Sequence, residues 1–69
     1  MRLVIDPVRL KTLRLDRALT QRRLALMAGV DVKTVEHAEC GHGVSLVTIS
    51  GLARALKVAP TEFASRAER

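Results

Sequence analysis

Between Thr20 and Gly41 the chain reads TQRRLALMAGVDVKTVEHAECG, and the punctuation of this stretch leaves it little freedom. Thr20 caps a helix N-terminus, Gly29 stops a helix, Asp31 caps again and Gly41 stops again. Two segments of about two turns each are therefore separated by only three residues, GVD. Helices this short are marginal in water and must be held by packing. Their small and branched positions supply it: Leu24, Ala25 and Ala28 fall on one face of the first, Val35 and Ala38 on one face of the second.

The same grammar covers the rest of the 69 residues. Asp6 before Pro7 is an N-cap with proline at the first helical position, and Leu10 and Leu13 form the core side of the helix that follows. Ser45 opens a helix with Leu46, Ile49, Leu52, Ala53 and Leu56 on one face, interrupted by Gly51 at a cost near 1 kcal/mol relative to alanine. Close approach of another backbone, as across a dimer, or simple drift would explain that glycine. Pro60 or Thr61 begins a short last helix that seats Phe63. Only RLVI is strand-like, and it reads as a disordered arm or as a strand used in dimer pairing. The expected organisation is one domain over 1–69, with residues 1–6 as arm or short strand and 7–67 as helical core.

Apolar residues make up 48% of the chain, but Phe63 is the sole aromatic, so the core must be aliphatic. The single cysteine, Cys40, excludes an internal disulfide and suits a reducing cytoplasm. No apolar run approaches membrane-spanning length, and MRLVIDP is too short for a signal peptide. A cytoplasmic location is expected. Charge is unevenly placed. Residues 1–23 hold seven of the twelve Lys and Arg against Asp6 and Asp16, so the whole net charge of +5 lies in the first third. Such a face draws polyanions, nucleic acid before anionic membrane, although a merely solubilising surface has the same composition.

Two short helices joined by GVD have the geometry of a helix-turn-helix, whose second helix enters the DNA major groove. LKTLRLDRALTQRRLALMAGVDVKTVEHAECG followed by SLVTISGLARALKV resembles the Cro/C1-type (XRE-like, lambda-repressor-like) helix-turn-helix family over residues 10–63. Six short matches in register carry the resemblance: Leu13-Arg14, Thr20-Gln21, Leu24-Ala25, Gly29-Val30, Glu39-x-Gly41 and Leu52-Ala53-x-x-Leu56. It implies an all-α, five-helix domain that binds double-stranded DNA. It further implies that Arg14 and Glu39 form a structural pair tying the first helix to the third. Gln21 takes the position of the family's phosphate-contacting glutamine.

At 100° per residue, Val32, Lys33, Glu36 and His37 occupy one arc of about 140°, away from Val35 and Ala38. This is the expected base-reading face. Lys33 suits guanine O6 or N7 and Val32 a thymine methyl, while Glu36 suits cytosine N4 or holds Lys33 or His37 in place. His37 serves through either ring nitrogen or a phosphate. The expected phosphate contacts are Gln21, Arg22, Arg23, Thr34 and His42. Arg22 and Arg23 oppose the dipole at the start of their helix, at about 0.3–1 kcal/mol each if exposed, which phosphate contacts would offset.

Three departures from the family pattern stand beside the matches: CGHGV carries no Lys or Arg, Cys40 replaces a commonly polar or basic residue, and Gly51 lies mid-helix. His37, Cys40 and His42 are a His-x-x-Cys-x-His cluster, but three ligands across a helix end fall short of a closed zinc site, and no metal or cofactor is expected. No nucleophile with base and orienter, phosphate loop or paired carboxylates is evident, so no enzymatic activity is expected. The expected function is a transcription regulator, a repressor or controller-type switch, bound as a homodimer to a pseudo-palindromic operator and so nucleoid-associated when on DNA. Its dimer surface is expected at Ala59, Pro60 and Glu62. The competing reading is a protein-binding module on the same fold, an antitoxin or antagonist of another regulator, favoured by Glu36 and the uncharged loop.

Overall fold

The computed structural model describes residues 3–66. Its order is β1 (Leu3–Ile5), α1 (Pro7–Asp16), α2 (Gln21–Ala28), α3 (Val32–Glu39), α4 (Leu46–Leu56), a 3-10 turn (Pro60–Glu62) and β2 (Ala64–Arg66). Each α-helix begins at a side-chain cap. The Asp6 carboxylate accepts from the N–H groups of Val8 and Arg9, Thr20 from Arg23, Asp31 from Lys33, and Ser45 from Thr48. These bonds satisfy donors that the helix itself leaves unpaired, each typically worth about 1 kcal/mol.

Helix α2 packs against both α3 and α4, and α1 packs against α3. Leu10 and Leu13 of α1, Leu24 and Ala25 of α2, Val35 and Ala38 of α3, and Ile49, Leu52, Ala53 and Leu56 of α4 meet in one aliphatic core with Phe63. Gly51 has a packing reason inside the chain. A Cβ there would stand 2.9 Å from the Ala28 carbonyl oxygen, so the glycine lets α4 lie against the end of α2. The close approach anticipated across a dimer is made within the protomer.

Four expectations are corrected. The architecture has four α-helices, not five, because the last segment makes only the 3-10 turn before the chain straightens. Within RLVI, whose Arg2 lies outside the described residues, Leu3–Ile5 form the short strand rather than a disordered arm, and their backbone is not all free for a partner. Leu3, Val4 and Ile5 pair antiparallel with Arg66, Ser65 and Ala64, and the Asp6 N–H donates to the Phe63 carbonyl at 2.7 Å. Burying Phe63 and Ala64 beside Ile5 requires an extended chain there, and strand pairing satisfies its backbone. Thus the helical part ends at Glu62, and 64–66 form a strand. Finally, Leu46 is 60% exposed rather than core, since it lies in the first turn of α4, ahead of the layer where Ile49 enters the core.

Candidate nucleic-acid interface

The turn between α2 and α3 is built by its backbone. Gly29 adopts φ +73°, a left-handed conformation that glycine takes without a Cβ penalty. The N–H groups of Gly29 and Val30 then return to the carbonyls of Leu26 and Ala25, closing α2 in the manner of a Schellman cap. Val30 and Val32 pack on the core and fix the entry of α3. From there Val35 and Ala38 are fully buried, whereas Lys33, Glu36 and His37 are exposed. Val32 and Thr34 are half-buried, so only part of the Val32 side chain is open to a ligand.

The other end of α3 is anchored by a buried polar cluster. Arg14 Nε donates to Glu39 Oε2 at 2.5 Å and Arg14 Nη2 to Glu39 Oε1 at 3.0 Å. Arg14 Nη1 donates to the Leu19 carbonyl at 2.7 Å, which ties the α1–α2 loop into the same knot. The two side chains are only 8% and 5% exposed. Gln21, expected at a DNA phosphate, directs its Nε2 to Glu39 Oε1 at 3.0 Å. Three helices thus converge on one carboxylate, a role for Gln21 that no local spacing signals.

Arg22 and Arg23 are exposed on the first turn of α2, where the backbone N–H groups of Gln21 and Arg22 lack partners in the helix. Not all of the N-terminal charge is available in this way. Arg9 is bonded to Glu62, and Arg17 spends Nε on the Leu56 carbonyl and Nη1 on that of Leu13. With Arg14 buried, three of the seven basic residues counted in 1–23 are used to hold elements together. Composition could not separate these from Arg22 and Arg23.

The loop after α3 turns back toward the exposed face. The His42 N–H donates to the His37 carbonyl at 2.9 Å, and the two imidazoles lie 5.2 Å apart, tilted by 58°. Cys40 is exposed. Among the described residues no three His, Cys, Asp or Glu side chains are grouped to hold a metal ion. Of the dimer-surface expectations, Ala59 and Pro60 are exposed, while Glu62 is engaged by Arg9 within the chain. No described helix is long and apolar enough to cross a membrane.

Comparison with solved structures finds the same fold in proteins of different length. The restriction-modification controller protein C.AhdI from Aeromonas hydrophila is 42% identical, over 81% of this chain and 86% of that one, with a TM-score of 0.78. A hypothetical transcription factor, NHTF, from Neisseria is 26% identical over 81% of this chain and 64% of its own, with a TM-score of 0.74. A hydroxyethylphosphonate dioxygenase matches all of this chain at 29% identity and a TM-score of 0.81, but this chain spans only 15% of that enzyme. No curated protein sequence matches significantly. The family model described as Helix-turn-helix matches residues 10–63. On that match, and with α2, its turn and α3 arranged as described, the chain belongs to the Cro/C1-type helix-turn-helix family of DNA-binding transcription regulators.

Proposed function

We propose that the protein binds a pseudo-palindromic operator as a homodimer and acts there as a repressor or controller-type switch. The observation that carries this reading is the presentation of α3, with Lys33, Glu36 and His37 exposed on one face of a helix whose other face is locked into the core. Lys33 reads guanine, Glu36 accepts from cytosine, and the open part of Val32 meets a thymine methyl. His37 and the adjacent His42 complete the reading face or touch the flanking phosphate.

Arg22, Arg23, Thr34 and the first-turn N–H groups of α2 hold the backbone. Gln21 joins them through the second hydrogen on its Nε2, the first being committed to Glu39. The likeness to a restriction-modification controller protein over most of both chains supports the controller-type assignment. Dimerisation through the exposed Ala59–Pro60 corner with Glu62 would set half-sites about one helical turn, ~10 bp, apart. The competing protein-binding reading keeps two observations: Glu36 lies on the exposed face of α3, and residues 40–45 bring no Lys or Arg.

Selection from random duplexes, followed by fluorescence anisotropy at two salt concentrations, tests the proposal. A two-fold symmetric sequence should be enriched, and a Lys33/Glu36/His37 triple-alanine variant should lose preference for it. Weak, salt-sensitive binding without enrichment would reject operator reading. Arg22→Ala should weaken all sequences alike and lower the salt slope by about one ion; an unchanged slope would remove Arg22 from the interface.

A further inference from the structure

An open groove of about 390 Å³ lies where the C-terminal ends of α1, α2 and α4 meet, lined by Arg17, Leu19, Met27, Ala55, Leu56 and Lys57. None of these belongs to α3 or to the first turn of α2, so the groove stays accessible when the proposed DNA face is occupied. Its floor is aliphatic. Leu56 is buried, Leu19 and Ala55 are half-buried, and Met27, 45% exposed, is an adaptable wall.

The rim is cationic and partly pre-set. Arg17 is clamped by the carbonyls of Leu56 at 2.8 Å and Leu13 at 2.9 Å, which leaves Nη2 without a partner among the described residues. Lys57 is exposed beside it in the lining, which contains no carboxylate. The C-termini of α1, α2 and α4 contribute about half a negative charge each, and the two full cations still outweigh them.

We propose that this groove docks an amphipathic, acidic helical segment of a partner protein, with an apolar side chain seated against Met27 and Leu19 and carboxylates on Arg17 and Lys57. The openness of the groove disfavours a small molecule, since such ligands bury about 70–90% of their surface. A seated anchor ringed by polar contacts needs no such enclosure. Charge disfavours a second copy. That copy carries a net +5, and most of its described carboxylates are committed: Asp6 and Asp31 to caps, Glu39 to Arg14, Glu62 to Arg9. Among the described residues, Asp16 and Glu36 alone would be left to meet the rim.

The test needs no DNA, so its failure would leave the operator reading untouched. A phage-displayed random library of about 16 residues, roughly four helical turns, is selected on the wild-type protein. Enriched peptides should combine Leu, Ile or Phe with Asp or Glu three or four positions away. In anisotropy titrations, Met27→Glu and Lys57→Glu should each weaken such a peptide by at least about tenfold, the effect of losing a central contact. Added salt should weaken it too. Circular dichroism confirms that both variants fold. No enrichment, enrichment of basic peptides, or indifference to both variants would overturn the proposal. So would a concentration-dependent dimer abolished by Met27→Glu, or displacement of the peptide by decanoate at equal concentration, which would assign the groove to a second copy or to a small amphiphile.

Discussion

Two arginine–glutamate pairs of the same chemistry hold two corners of this molecule, and they are not equivalent. Arg9 and Glu62 join α1 to the 3-10 turn with side chains 45% and 47% exposed, through one contact between charged groups at 3.1 Å and one to a backbone carbonyl. Arg14 and Glu39 join α1 to α3 almost out of solvent, and Gln21 and the Leu19 carbonyl bring in α2 and its preceding loop. The first pair is screened by water and replaceable. The second has given up its hydration, so each member depends on the other. What decides the worth of an ion pair here is the number of other groups that complete it after burial.

The largest effect should therefore follow from Glu39→Ala, which strands the Arg14 charge and frees the Gln21 amide. A loss of about 3–5 kcal/mol is expected in urea denaturation. For a chain this small, where a single core rarely supplies more than about 3–5 kcal/mol, that is enough to populate the unfolded state heavily. The double variant Arg14→Met with Glu39→Leu sharpens the point, since it removes the charge and the need for it together. It should recover most of the loss, and a double variant as unstable as Glu39→Ala would overturn this view of the corner.

Gly51→Ala perturbs the seat of α2 without touching a charge. The added methyl must displace the Ala28 carbonyl, at about 1–3 kcal/mol for an overpacked contact, less the near 1 kcal/mol that alanine returns to the helix. A net stabilisation would show that α2 shifts freely and that the Glu39 cluster alone does not hold it. Glu62→Ala should cost under ~1 kcal/mol and become indistinguishable from wild type at about 1 M NaCl, where the Debye length is about 3 Å. A larger, salt-insensitive loss would erase the contrast between the two corners.

How much could be read in advance follows the same division between local and distant. Asp6, Thr20, Asp31 and Ser45 cap as their positions foretell, because a cap bonds to N–H groups two or three residues away. The helix-turn-helix follows from those caps and Gly29. The family resemblance supplied the Arg14–Glu39 link across 25 residues, where periodicity has nothing to say. What escaped depended on partners remote in the chain: the Ala28 carbonyl opposite Gly51, Gln21 on Glu39, Arg17 on Leu56, and the strand that follows Phe63. Leu46 escaped for a different reason. Its spacing from Ile49 is correct for a shared face, but a first-turn residue can project past the edge of the layer it points along.

The pairing of Leu3 with Arg66 brings the two ends of the described chain side by side. That ribbon closes only across the span from residue 5 to residue 64, whereas α2, its turn and α3 need only a short local closure. Closure entropy grows by about 0.6 kcal/mol for each doubling of loop length, so the ribbon gains its stability only once the helices have already drawn the ends together. In kinetic terms it belongs on the native side of the folding barrier. Weakening it should speed unfolding while leaving the folding rate almost unchanged.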